Sequence, residues 1–317
     1  MQKNNVIFTG SGEFAVKPLE FLLKKEINIL AIITQPDKIG GRGKKLIPTP
    51  VKKFALDKNI KILQPNSINS PEIIDFIKKN RIKINVVVDY GQILKDEVIN
   101  VPELYTINLH PSLLPKYRGT SPIQSVLLND EKITGVSVIE VTSKIDAGDI
   151  FSQEKITISD EDDYFSLFEK LSSLGAELLY NTIIEILENK EKKIPQDDKL
   201  ATYCKKIKKE DGLINWEETS REIFNKIRAF VKWPTCYSFH KGNLIKFYKA
   251  KILNKKYNSP PGTAIRLDKK NFGIVCGDKN LLKIEKLQLQ GKKILNTSDF
   301  LNGYQIISGD IFTNAPR

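Results

Sequence analysis

The most informative stretch of the chain is Asn108-Leu109-His110-Pro111-Ser112-Leu113-Leu114-Pro115-Lys116-Tyr117-Arg118-Gly119. The apolar-leaning run at 105–109 that leads into it predicts a buried strand. Two prolines and a glycine then predict an irregular loop directly after that strand. Asn108 and His110 are two residues apart, so their side chains should point to the same side of the strand. Ligands of open α/β sheets bind beyond the carboxyl ends of the strands, which makes this strand end a candidate site.

The chain before this stretch alternates strand patterns with helix patterns. Strands are predicted at 6–9, 29–34, 60–63 and 86–88, and helices at 14–23, 51–58 and 71–79. A β-α-β start of this kind usually builds a parallel sheet. Two further strands, at 136–141 and 150–156, and an amphipathic helix at about 164–188 follow. Residues 1–189 are therefore predicted to form an α/β domain with a parallel-rich sheet.

Composition changes after this domain. Residues 189–210 are polar and lysine-rich, which predicts a basic linker at 190–209, with a surface loop of the first domain as the alternative. Beyond it, five short strand patterns alternate with turn residues. This spacing predicts a smaller OB-like β-barrel domain at 210–317, a fold that often contacts nucleic acids.

The charge of the chain favours a polyanionic partner. The formal net charge is +12, from 50 basic and 38 acidic residues. Residues 35–53 hold six basic residues and one acid, and 240–256 hold six lysines and no acid. A lysine-rich composition alone would raise the charge everywhere, but such clusters suit phosphate contacts, so we prefer nucleic acid as the partner.

Cysteine usage and hydropathy indicate the compartment. The three cysteines are far apart in sequence, which argues against a disulfide framework or a zinc site. We therefore expect a reducing cytoplasm and no metal. The amino terminus lacks the long apolar core of a signal peptide, and no stretch approaches 18 apolar residues. No membrane span is expected.

The chemistry around the central stretch points to group transfer. Asn108 offers an amide donor and His110 a group that titrates near neutral pH. Asp146 lies in a glycine-containing loop at 142–149 and could orient His110 or accept a proton. No serine or cysteine stands out as a nucleophile with its own base. Direct acyl or formyl transfer to an amine fits these groups, although a structural histidine and a turn aspartate remain the alternative.

The residues also carry a resemblance to a known family. Asn108-x-His110, Ser112-Leu113-Leu114-Pro115 and Asp146 resemble the signature of the folate-dependent formyltransferases. The stretch 110–119 is similar to the purine-pathway members that formylate glycinamide ribonucleotide, but those have a single catalytic domain. Stretches at 34–37 with 41–45, at 119–124, and at 291–293 with 299–303 instead resemble the members that act on initiator methionyl-tRNA.

This resemblance implies substrates and a fold. The formyl donor would be 10-formyltetrahydrofolate, a co-substrate used without a metal, and the acceptor would be initiator methionyl-tRNA. The first domain would be Rossmann-like without binding a dinucleotide, and the second an OB-like barrel that holds the tRNA. A cytoplasmic monomer is expected.

The resemblance also implies which residues act. Catalysis would fall to Asn108, His110 and Asp146. The folate site would be lined by Ser112, Leu113, Leu114 and Pro115. The tRNA would meet a basic loop that carries Arg42, Lys44 and Lys45. The sequence departs from the family pattern at Pro111, where glycine is expected, at 11–13, where Thr-Pro-Asp is expected, and at Asp89, where alanine is expected.

Three alternatives compete with this assignment. A non-catalytic tRNA- or RNA-binding protein could use a degenerate form of the fold. Another folate-dependent formyltransferase could act on a small amine. A nicotinamide-dependent oxidoreductase is suggested by Gly10-x-Gly12-x-x-Ala15, which resembles the dinucleotide fingerprint and has Asp37 near the place of an acidic ribose partner. Glycines also serve any tight strand-to-helix turn, so that last motif is weak by itself.

Overall fold

The computed structural model describes residues 4–40 and 45–316 of the 317-residue chain. Its contacts divide the chain into two compact units. The first consists of residues up to Pro122, Ile133–Thr157 and Phe168–Cys204. The second consists of Ile123–Lys132, Ile158–Leu167 and the chain from Lys205 onward. The predicted boundaries at 189 and 210 stay a prediction, and residues 190–204 of the predicted linker cluster with the first unit.

The first part of the chain alternates strands and helices. The strands are β1 Val6–Gly10, β2 Ile29–Ile33, β3 Lys38–Gly40, β4 Lys45–Ile47, β5 Lys61–Leu63, β6 Ile84–Val88, β7 Tyr105–His110, β8 Ile133–Glu140 and β9 Ile150–Thr157. The helices are α1 Val16–Lys24, α2 Pro50–Leu56, α3 Pro71–Lys79, α4 Asp96–Ile99, α5 Pro122–Leu128 and α6 Tyr164–Leu187.

Among the described residues, one sheet of the first unit has the strand order β5-β2-β1-β6-β7-β8-β9. The five strands from β5 to β7 pair in parallel, whereas β8 and β9 are antiparallel. Strands β1 and β6 are buried along their whole length, as expected of central strands that are covered on both faces. The predicted Rossmann-like, parallel-rich architecture is confirmed.

The register of the parallel strands places polar residues at one edge. Gly10 of β1 pairs with Val88 of β6, and Val87 of β6 pairs with Asn108 of β7. Because the carboxyl ends of three neighbouring strands lie side by side, the loops that follow them share one edge of the sheet. Those loops carry Ser11, Asp89 and the stretch after His110.

The second unit contains an antiparallel sheet. Its strands are β10 Cys236–His240, β11 Asn243–Lys256, β12 Ala264–Arg266, β13 Phe272–Val275, β14 Asn280–Leu289, β15 Leu295–Asn296 and β16 Phe312–Thr313. The helices that follow the linker region are α7 Ser220–Ala229 and α8 Thr297–Gly303.

This second sheet runs in the order β12-β13-β14-β11-β10-β16 among the residues described, with β15 beside β14. Backbone hydrogen bonds join its two ends, from the Ala264 N–H to the Asp310 carbonyl (2.7 Å) and from the Phe312 N–H to the Gly262 carbonyl (2.8 Å). The sheet therefore curls onto itself, around a core that includes Trp216. The predicted OB-like barrel is confirmed.

Some features of the fold differ from the sequence-based expectation. The connection at 35–50, predicted as a basic loop, contains a hairpin in which β3 pairs with β4. Helix α8 was not predicted, because its short pattern carries few apolar residues. No helix within 4–40 or 45–316 combines the length and the apolarity needed to cross a bilayer.

Candidate active site

His110, the last residue of β7, is buried and held by a backbone carbonyl. Its Nε2 lies 2.9 Å from the Tyr117 carbonyl oxygen. Because a carbonyl oxygen only accepts hydrogen bonds, Nε2 must carry the proton of this contact. Nδ1 is therefore the ring nitrogen left for chemistry, and it lies 3.6 Å from Oδ2 of Asp146.

Asp146 approaches this imidazole from the loop between β8 and β9. Its backbone is in the left-handed region, with a φ of 50°. Its Oδ2 accepts a 2.8 Å hydrogen bond from the Gly119 N–H, and its Oδ1 lies 3.5 Å from Nδ2 of Asn108. The structure thus brings together Asn108, His110 and Asp146, the three residues predicted to be catalytic.

The loop after His110 is held by hydrogen bonds to β8 and β9. The Ser112 hydroxyl donates to the Lys116 carbonyl (2.7 Å), and the Ser137 hydroxyl donates to the Ser112 carbonyl (2.6 Å). The Leu114 N–H donates to the Ser137 hydroxyl (3.1 Å), and Nε2 of Gln153 donates to the Leu114 carbonyl (2.8 Å). This network sets the shape of the loop.

The four residues predicted to line a folate site differ in exposure. Leu114 is buried in a small cluster with Ile139 and Ile150, and Ser112 is fully buried. Leu113 and Pro115 are half-buried and present surface to solvent. The predicted folate contact stays a prediction, and these two side chains are the ones available to make it.

The glycine turn after β1 is filled by protein groups. The Asp89 carbonyl accepts hydrogen bonds from the N–H groups of Ser11 (3.1 Å) and Gly12 (2.9 Å). The Ser11 hydroxyl accepts one from the Gln35 N–H (3.0 Å). A Cβ on Gly12 would lie 1.7 Å from Oδ2 of Asp89, so the Asp89 carboxylate packs directly on this glycine. An anionic pyrophosphate would meet that carboxylate, which argues against the nicotinamide alternative.

The hairpin of β3 and β4 carries the predicted basic contact residues. Lys45 is exposed at the start of β4, whereas Arg42 and Lys44 lie outside the described residues. Ile39 and Leu46 pair across the hairpin and expose large aliphatic side chains. This part of the chain therefore offers both cationic and apolar surface to a partner.

An ion pair anchors the base of that hairpin. The Asp37 carboxylate accepts hydrogen bonds from Nζ of Lys52 (2.8 Å) and from Nε2 of Gln64 (2.8 Å). These two hydrogen bonds lower the pKa of Asp37 from its ordinary value, and the bond from Lys52 has the larger effect. Asp37 is thus engaged in holding the hairpin, which removes the sequence-based reason to assign it to a ribose.

Two site residues were missed by sequence reasoning. Arg118 is buried and its side chain donates to Gln196, a residue of the predicted linker. Gln196 in turn donates to the carbonyl oxygens of Asp146 and Gly148. Arg118 lies inside the central stretch and could have been noticed there. Nothing in the composition of 190–209 singled out Gln196.

The arrangement offers donors and a base around one point. The Asn108 amide and the His110 ring can donate hydrogen bonds, and Asp146 can accept a proton directly or through water. In the described ranges, no group of three or more His, Cys, Asp and Glu side chains is placed to hold a metal ion. The site is suited to stabilising an oxyanion while an amine loses a proton.

Comparisons with known proteins cover nearly the whole chain. The family model described as formyl transferase matches residues 3–183, and the model described as formyl transferase, C-terminal domain, matches residues 206–305. A methionyl-tRNA formyltransferase of Sulfurihydrogenibium sp. is 41% identical over 308 residues, covering 97% of this chain and 99% of its own. One from Staphylococcus aureus is 35% identical over 300 residues, covering 95% and 96%.

Solved structures share the fold. The N-formyltransferase from Helicobacter canadensis, determined with folinic acid and dTDP-3-aminofucose, matches with a TM-score of 0.67 and 24% identity. The match covers 90% of this chain and 99% of that one. At this level of identity the likeness concerns the fold alone.

Proposed function

The chain belongs to the formyl transferase family, and on that premise we propose that it transfers a formyl group from 10-formyltetrahydrofolate to the amino group of initiator methionyl-tRNA. The observation that best supports this proposal is that Asn108, His110 and Asp146 lie close together at one strand end. Relatives that bear the name methionyl-tRNA formyltransferase align along almost their entire length, including the barrel domain. This supports a charged tRNA as the acceptor and translation initiation as the purpose.

The reaction exchanges one carbon–nitrogen bond for another. The methionyl amine attacks the formyl carbon, the bond from that carbon to N10 of the folate breaks, and the proton lost by the amine ends on the leaving nitrogen. Asn108 and protonated His110 stabilise the oxyanion of the tetrahedral intermediate, and donors of this kind supply roughly 3 kcal/mol each. His110 donates from Nδ1, because the proton on Nε2 is engaged with Tyr117.

Asp146 handles the proton that the amine must lose. Its Oδ2 faces Nδ1 of His110 and is held by the Gly119 N–H, so the carboxylate is oriented before substrate arrives. Acting directly or through a water, it accepts the proton of the attacking amine. The carboxylate also balances the charge of a protonated imidazole beside it.

The two substrates would contact different parts of the first unit. We assign the donor to the loop of Ser112, Leu113, Leu114 and Pro115, chiefly through Leu113 and Pro115, whose side chains are partly exposed. We assign the tRNA acceptor stem to the basic hairpin with Arg42, Lys44 and Lys45. We place the reaction in the cytoplasm and expect the protein to act as a monomer.

A paired assay tests this function. Purified protein is incubated with 10-formyltetrahydrofolate and either methionine-charged initiator tRNA or glycinamide ribonucleotide, and formylated product is measured. We expect product from the charged tRNA and none from the small amine. Product from glycinamide ribonucleotide alone would contradict the assignment of charged tRNA as the acceptor. Tight tRNA binding without transfer at any donor concentration would instead identify a non-catalytic RNA-binding protein.

A further inference from the structure

We propose that Gln196, acting through Arg118, is a positioning residue that sets the distance between the His110 imidazole and the Asp146 carboxylate. This inference rests on the proposed function, since it concerns the same site. Gln196 does not touch the reacting groups. It lies in a segment that composition marks as a linker, yet its side chain reaches the backbone of the loop that carries Asp146.

The Gln196 side chain uses its full hydrogen-bonding capacity. Nε2 donates to the Asp146 carbonyl (2.9 Å) and to the Gly148 carbonyl (2.7 Å). Oε1 accepts from Nε (3.1 Å) and Nη2 (2.8 Å) of Arg118. A primary amide has two N–H donors and two lone pairs on its oxygen, so each is engaged here.

Only one orientation of this amide satisfies its partners. Carbonyl oxygens accept hydrogen bonds and a guanidinium group only donates them. Turning the amide over would place its oxygen against the Asp146 and Gly148 carbonyls and its N–H groups against Arg118. Gln196 is therefore locked between a donor on one side and two acceptors on the other.

Arg118 connects Gln196 to both His110 and Asp146. It stands between Tyr117, whose carbonyl holds Nε2 of His110, and Gly119, whose N–H holds Oδ2 of Asp146. Its own backbone is fixed as well, because its N–H donates to the Thr202 carbonyl (2.9 Å) and its carbonyl accepts from the Cys204 N–H (2.7 Å).

The backbone near Gln196 is anchored independently of its side chain. Ile194 exchanges two 2.9 Å hydrogen bonds with Ile150, at the start of β9. The chain thus brings Gln196 to the Asp146 loop as a short extension of the sheet. The amide then connects that loop to the segment that follows His110. Both sides of the 3.6 Å contact between the His110 ring and the Asp146 carboxylate are thereby fixed.

A positioning role predicts a loss of turnover with substrate binding preserved. Q196M keeps the approximate side-chain volume but makes none of these bonds, and Q196E keeps the contact with Arg118 while setting a carboxylate against two carbonyls. We expect each to lower kcat about 10- to 100-fold, the size expected of small misplacements in an active site. The KM values for donor and for charged tRNA should change less than about threefold, because the hydrogen bonds of this amide are made to protein groups.

The matched control is D198A. The Asp198 side chain is 69% exposed and accepts a 2.8 Å bond from the same Nη2 of Arg118, but it makes no hydrogen bond to the Asp146 loop. The guanidinium contact lowers the pKa of Asp198. Because the Asp198 carboxylate is largely exposed to solvent, its pair with Arg118 contributes little, and D198A should keep kcat within about twofold. Equal losses in D198A and Q196E would overturn the specific role of Gln196.

A spectroscopic measurement separates position from stability. The chain has two histidines, so the ring resonances of His110 are assigned in NMR spectra by comparison with H110A. We expect Q196E and Q196M to shift the His110 ring resonances while leaving those of His240 in place, and D198A to shift neither. Unchanged His110 resonances with normal kcat in both Gln196 variants would sink the proposal. Absence of formyl transfer in the parent protein would contradict the proposed function instead. The NMR result would still test whether Gln196 positions His110.

Discussion

The Tyr117 carbonyl gives the two nitrogens of His110 different tasks. It occupies Nε2 and leaves Nδ1 facing Asp146. The spacing of Asn108 and His110 was enough to predict that both point at one place, because alternation along a strand is a local property. Which ring nitrogen bonds the carbonyl and which faces Asp146 could not be predicted, since this depends on a carbonyl seven residues away in an irregular loop.

Removing either partner of this contact should abolish most of the turnover. We expect H110A and D146A each to lower the rate of formyl transfer by about two orders of magnitude or more, because each removes a group that we propose acts on the transition state. Charged tRNA should still bind with nearly parental affinity. Single-turnover kinetics and filter binding measure the two quantities separately.

The control for D146A is D149N, three residues along the same loop. Asp149 contributes a backbone carbonyl to Glu140, and that bond is unaffected by a side-chain change. We expect D149N to retain most of its activity. Near-normal turnover in H110A or D146A would defeat the catalytic assignment.

The loop between β8 and β9 depends on a glycine for its path. A Cβ on Gly148 would lie 1.9 Å from the Glu140 carbonyl oxygen, which belongs to the backbone of β8 and cannot swing aside. The loop must then move, and Asp146 moves with it. The turn residues at 142–149 predicted a loop here, but the close approach of two backbones arises only in the folded sheet.

Substitution at this glycine should therefore affect catalysis. We expect G148A to lower kcat about 10- to 100-fold through displacement of Asp146, as for other small shifts of catalytic groups. G303A in α8 is the control, because nothing lies within 4 Å of a Cβ placed there. Steady-state kinetics of both variants, with thermal unfolding to compare their stability, decide the outcome. Parental kcat in G148A would show that the loop absorbs the extra carbon.

The basic hairpin should act on tRNA and not on folate. We expect R42A and K45A to raise the KM for charged tRNA several-fold while the KM for the donor stays unchanged, because phosphate contacts position a nucleic acid without taking part in the chemistry. Each lost contact should also flatten the dependence of tRNA affinity on salt, by a slope of about one unit. A steeper salt dependence in a variant would contradict this role.

The two units are not consecutive pieces of the chain. Ile123–Lys132 and Ile158–Leu167 cluster with the barrel part, although both lie well before residue 189. Within that unit, the buried Arg228 side chain donates to the Ser159 carbonyl (3.0 Å) and lies 3.4 Å from Oδ1 of Asp130. Composition predicts boundaries where the chain becomes polar, so it cannot detect segments that return to another unit through such contacts.

The barrel contains a buried histidine with a consequence for stability. Burial lowers the pKa of His240, and the hydrogen bond to Asp310 (3.1 Å) only partly offsets this. Lys241 and the Tyr304 hydroxyl also face this cluster, and Phe312 stacks on the ring. As pH falls below 6.5, the unfolded chain takes up a proton that the folded barrel resists, so folding becomes less favourable.

The unfolding free energy should thus decline between pH 6.5 and the lower pKa of the folded state. The slope is at most about 1.4 kcal/mol per pH unit for one proton. H240Q should remove this part of the slope, and comparison with the parent protein isolates the contribution of His240. The carboxylate of Asp310, whose pKa is lowered by its hydrogen bonds despite burial, titrates below its ordinary value of 3.8 and so well below pH 6.5, where the decline begins. Denaturant titrations of both proteins at several pH values measure the difference, and parallel curves would contradict it.

The amino-acid sequence by itself determined the alternation of strands and helices in the first part of the chain, the parallel-rich first sheet, the small barrel and the Asn108–His110 pair. These follow from periodicity and spacing, which act between residues close in the chain. The tertiary structure alone decided that Asp146 meets His110, that Asp89 packs on Gly12, and that Gln196 reaches the Asp146 loop. Such contacts join segments that are distant in sequence, and their geometry exists only once strand register and loop packing are complete.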